Sequence, residues 1–81
     1  MTHDEFNQRF EHHPLGAAFK ACRDAQKADN GRNLNIFFIT AKTTIHLLKY
    51  QDDITEAEEA ELVEMLYQIV DEYAGVTTRK H

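Results

Sequence analysis

The chain has 81 residues, 42% hydrophobic and 28% charged, with three Gly, one Pro, one Cys and a net charge of −5. That length fits one domain with a thin core, and the composition fits a globular class better than a disordered, collagenous, coiled-coil or membrane one. There is no Ser for a serine triad, and the single Cys22 is too little for an intrachain disulfide or a multi-cysteine zinc site.

Thr2-His3-Asp4-Glu5 opens the chain with a capping-box pattern, Thr2 as N-cap and Glu5 three residues on. Phe6 and Phe10 follow on one face of this first short helix, which ends at His13-Pro14. Pro14 suits the first turn of a second helix, because its missing N–H costs nothing there. Leu15, Ala18, Phe19, Cys22 and Ala25 keep helical spacing and form its buried face. On the other side Lys20, Arg23 and Lys27 make a basic ridge, and Asn30-Gly31, which tolerate positive φ, stop the helix.

The third segment, from about 33 to 50, carries two signals. Leu34, Phe37, Phe38, Ala41, Ile45 and Leu48 share an arc of roughly 100° at helical pitch. Its β-branched residues, Ile36, Ile39, Thr40, Thr43, Thr44 and Ile45, favour a strand instead. A helix is expected, because the 3.6 period holds throughout and a strand would lack a partner. That helix has a second apolar patch, Ile36, Ile39, Leu47 and Tyr50, opposite the first stripe. Apolar on two opposed faces, it calls for cover on both, so these four residues are the candidates for self-association as a homodimer.

Thr55-Glu56-Ala57-Glu58 starts the fourth helix with another capping box, and Gly75 is expected to end it. Its apolar residues between Leu62 and Ala74 sweep roughly 200° of the circumference, more than packing on one neighbour needs. The expected fold is an all-α bundle of one short and three longer antiparallel helices. Residues 1–75 form a single domain and 76–81 a polar C-terminal tail.

Charge is uneven along the chain: residues 1–51 sum to +2 and residues 52–81 to −7. The carboxylates Glu61, Glu64, Asp71 and Glu72 are therefore the candidate contacts for a protein partner with a basic surface. Two other readings stay open for that acidic helix: a solvated face balanced by the basic ridge, and a mimic of nucleic-acid phosphates. The Lys20, Arg23 and Lys27 ridge supports an alternative role as a nucleic-acid-associated regulator, although such domains usually show a clear basic excess.

The five histidines show no H-x-x-x-H pair, and the EF-hand and phosphate-loop patterns are missing. Cys22 lies on an apolar stripe, where a thiol is inert. No enzyme, metal or cofactor is expected. Arg9-Phe10-Glu11-His12-His13-Pro14 resembles a short stretch of small phage proteins that sequester cyclic nucleotides; the likeness covers six residues and carries no function over. A non-basic N-terminus, an unpaired thiol and no long apolar run lead to the expectation of a cytoplasmic protein without membrane contact. In function, the sequence points to a small acidic non-enzymatic module that regulates or inhibits a partner protein through helix surfaces.

Overall fold

The computed structural model describes the backbone of residues 1–79 and the side chains of residues 1–73. Four helices follow one another: α1 (His3–Phe10), α2 (Pro14–Lys27), α3 (Gly31–Tyr50) and α4 (Glu56–Arg79). No strand occurs among the described residues, so the third segment is helix throughout. Consecutive helices run antiparallel, as their short connections require. Phe6 meets Phe19 and His3 meets Arg23 across α1 and α2. His46 meets Glu59 near one end of the α3–α4 pair, while Gly31 lies against Tyr73 at the other.

Side chains set the helix starts. The Glu5 N–H donates to Thr2 Oγ1 at 3.2 Å, and the Glu58 N–H to Thr55 Oγ1 at 3.1 Å. Glu58 completes its box by accepting the Thr55 N–H at 2.8 Å, whereas Glu5 takes the Thr2 hydroxyl instead. His13 is the N-cap of α2: its Nδ1 accepts the Leu15 N–H at 3.0 Å. Asn30 does the same for α3, accepting the Asn33 N–H at 3.1 Å.

The stops differ from the sequence expectation. Asp29, not Asn30 or Gly31, takes the left-handed conformation after α2, with φ 55°. Asp52 does so after α3, with φ 61°. Each turn is a Schellman motif. Asn30 N–H reaches Ala25 O and Asp29 N–H reaches Gln26 O; Asp53 N–H reaches Leu48 O and Asp52 N–H reaches Lys49 O. Because the first turn already satisfies the end of α2, Asn30 is free to cap α3, which begins two residues earlier than its periodicity implied. Gly75 does not end α4, whose backbone stays helical to Arg79. Glycine permits a left-handed stop without imposing one. Of the expected tail, residues 80 and 81 lie outside the described residues.

Asp52 invites a direct test. An aspartate in the left-handed region is strained, and its charge sits at the negative end of α3. Asp52→Gly should raise stability by about 1 kcal/mol, seen as a higher urea midpoint; an unchanged or lower midpoint would contradict the assigned backbone conformation.

The core runs the length of the bundle. Leu15, Phe19 and Cys22 from α2, Ala41 and Ile45 from α3, and Leu62 and Leu66 from α4 are fully enclosed. Phe6, Phe10 and Phe19 form an aromatic cluster, with ring centroids 5.1 Å apart for Phe6–Phe10 and 4.7 Å for Phe6–Phe19. Ile54, in the turn before α4, is also buried and closes one end. Among the described residues no polar or charged side chain is buried, so hydrophobic burial alone holds the interior.

Candidate interaction surface

α3 lies between α2 and α4, and that position decides which of its faces is left over. Leu34, Ala41, Ile45 and Leu48 point into the core. Phe38 and Lys42 turn toward α4, where Phe38 meets the Tyr67 ring edge-on at 5.3 Å. The Lys42 ammonium donates to the Tyr67 hydroxyl at 3.1 Å and sits over both rings. One helical turn on, His46 Nδ1 lies 3.0 Å from Glu59. Thus Lys42 and His46 stitch α3 to α4.

Opposite the core-facing side, Ile36, Ile39, Leu47 and Tyr50 are 50%, 55%, 51% and 86% exposed. All four residues expected to mediate self-association stand outward on one stripe. Thr40 and Thr44, beside it, donate their hydroxyls to the Ile36 and Thr40 carbonyls at 3.0 and 2.8 Å. Those hydroxyls are satisfied within the helix, which leaves the neighbouring surface effectively apolar. Scattered apolar residues at a surface are ordinary, whereas these four share one face of α3.

The acidic helix divides into two groups. Glu61 pairs with the Met1 ammonium, and Glu72 accepts the Gln26 amide at 3.1 Å. Glu64 and Asp71 are exposed and have no ion pair among the described residues. Counter-charges for α4 come from Arg9 on Glu58 and the amino terminus on Glu61, with the His46 imidazole hydrogen-bonded to Glu59, rather than from the Lys20, Arg23 and Lys27 ridge.

That ridge is itself mixed with carboxylates. Lys20 pairs with Asp24 at 3.2 Å, and a groove between α1 and α2 places Lys20, Arg23 and Lys27 beside Asp4, Glu11 and Asp24. Arg23 reaches His3 Nδ1 at 3.3 Å. Arg32, in the first turn of α3, is exposed and does not line that groove.

Arg9 and Tyr67 escaped the sequence reading. Arg9 pairs with Glu58 and donates to the Asp53 carbonyl at 2.9 Å, tying α1 to the α3–α4 turn. No spacing signals a contact between residues 49 positions apart. Tyr67 belongs to the wide apolar arc of α4, yet it stays 41% exposed, with Phe38 and Lys42 against its ring.

Two titrations follow from these contacts. The Thr55 N–H and Arg9 hold the Glu58 carboxyl below its ordinary range, while Glu61 holds the Met1 amine above its own. A depressed carboxyl stabilises the fold above its unfolded value and loses that effect as pH falls through the folded one. The raised amine contributes below its unfolded value and loses its contribution as pH rises through the folded one. Glu58→Gln should therefore flatten the acid limb of a stability-versus-pH profile; an acid limb identical to wild type would sink the assignment.

Burial pushes the Cys22 thiol up to about 11, which leaves it protonated and unreactive at neutral pH. Among the described residues no group of three or more His, Cys, Asp and Glu is placed to hold a metal ion. No helix searched there is long and apolar enough to cross a membrane. No family model, curated protein or solved structure matches this chain, so its own surfaces are the whole basis for a functional reading.

Proposed function

We propose that this protein is a non-enzymatic interaction module, regulating or inhibiting a partner protein by contact through helix surfaces. The observation that carries this reading is the outward stripe of α3, apolar except at Thr43 and left uncovered by the other described residues. Folding alone does not call for such a row, since the buried stripe of the same helix already supplies the core. The partner has a basic surface and docks on α4, where Glu64 and Asp71 are exposed without internal counter-ions among the described residues. The unmatched charge steers encounter and register more than it adds raw affinity.

Capture from the native host tests the idea. Wild-type protein should retain a basic protein at defined stoichiometry, and Glu64→Lys with Asp71→Lys should release it. Retention unaffected by that double charge reversal, or no retained protein, would overturn the reading.

A further inference from the structure

The outward stripe of α3 has an internal symmetry. From Ile36 its residues run Ile39, Thr43, Leu47 and Tyr50, with steps of three, four, four and three residues about Thr43, and the other two exposed positions of this stretch, Thr40 and His46, also lie three residues to either side of Thr43. A two-fold axis through Thr43 on an antiparallel copy of α3 therefore sets Ile36 against Tyr50 and Ile39 against Leu47. Such self-complementarity is what an isologous interface requires, and contact with an unrelated surface does not need it. Thr43 is small enough for the helices to approach closely at the axis.

Charge follows the same symmetry. Arg32 stands 18 positions, about five turns, before Tyr50 and so projects on the same side of α3. It is exposed and has no ion pair among the described residues. The register that pairs Ile36 with Tyr50 brings Arg32 to the partner's α3–α4 turn, which carries exposed Asp52 and Asp53. The α3 segment itself contains no carboxylate, so along α3 and the turn that follows it the anions are Asp52 and Asp53. Antiparallel pairing also sets the positive end of each α3 beside the negative end of the other.

From this we infer that the occupant of the stripe is a second copy of the chain, joined as an antiparallel α3–α3 dimer centred on Thr43 and closed at both ends by Arg32 with Asp53. The inference rests on the interaction-module reading and names what covers one of its surfaces. Each stripe is about 21 Å long, toward the small end of stable interfaces, about 1,000 Å² in total. Association therefore depends on concentration over about 1 µM to 1 mM.

Sedimentation equilibrium across that range, with circular dichroism to check folding, tests the proposal. Wild type should rise from the 9.4 kDa mass of one chain toward twice that value. Ile39→Glu sets a charge in each half of the seam and should weaken association about a hundredfold. It should keep its helicity, because Ile39 is more than half exposed.

Arg32→Glu and Asp53→Arg should each weaken self-association about tenfold, since each sets like charges together at both ends of the dimer. An equimolar mixture of those two variants recovers two opposite-charge pairs and should associate as wild type does. The two positions lie at opposite ends of a helix about 30 Å long, so recovery within one chain is impossible. A monomer at every concentration, a dimer indifferent to Ile39→Glu, or a mixture that stays weak would each overturn the α3 dimer. A monomer that still retains a basic protein through Glu64 and Asp71 refutes only the dimer. A dimer that retains none refutes only the partner reading.

Discussion

Gly16→Ala is expected to destabilise the protein by about 3 kcal/mol, seen as a lower urea midpoint at unchanged slope. A Cβ on Gly16 would stand 2.1 Å from the Phe10 carbonyl oxygen and 3.0 Å from its carbon. Both are backbone atoms, so no rotamer change relieves the overlap. Retreat of that carbonyl would strain the α1–α2 turn, because it accepts the His13 N–H at 3.0 Å. Within a helix, Gly→Ala ordinarily stabilises by about 0.5–1 kcal/mol, so the sign of the change is informative. A neutral or stabilising result would mean that α1 and α2 do not approach this closely.

Phe19→Ala should cost about 4 kcal/mol, the usual loss when an aromatic ring is removed from a closed core. Phe19 is fully buried, and its ring packs against Phe6 at 4.7 Å. A chain of this length has roughly 4–12 kcal/mol of total stability, so the variant should be marginally folded at room temperature. Phe19→Leu keeps most of the volume and should cost well under half as much. Thermal unfolding followed by circular dichroism separates the two; a Phe19→Ala midpoint within about 5 °C of wild type, roughly 1 kcal/mol, would show that α1 does not cover this ring.

What could be read from the sequence was mostly local in origin. Thr2 and Thr55 announced two helix starts because a cap and its recipient lie three residues apart. Leu34, Ala41, Ile45 and Leu48 announced the core stripe of α3 because helical pitch alone aligns them. The same geometry exposed Ile36, Ile39, Leu47 and Tyr50 as a second row. Where two local rules competed, at the β-branched third segment, periodicity won because burying one row outweighs intrinsic preferences within about 1 kcal/mol.

The readings that missed needed information from distant residues. Gly16, near the start of α2, is constrained by Phe10 in another helix, which no local spacing signals. Asn30-Gly31 looked like a left-handed stop, but Schellman bonding put Asp29 there and freed Asn30 to cap α3. Arg9 carried no spacing signal, because its side chain meets Glu58 only in the folded bundle.

Taken alone, the order of residues determined four helices, their antiparallel sense and the inward rows of α1, α2 and α3, since these follow from periodicity, capping and short loops. Tertiary structure decided which of the remaining surface stayed uncovered. It paired Glu58 and Glu61 with charges from elsewhere in the chain and Glu59 with the His46 ring, while leaving Glu64, Asp71 and the outer row of α3 in water. The reason is geometric: a middle helix flanked by two neighbours has one side that a chain of this length cannot reach.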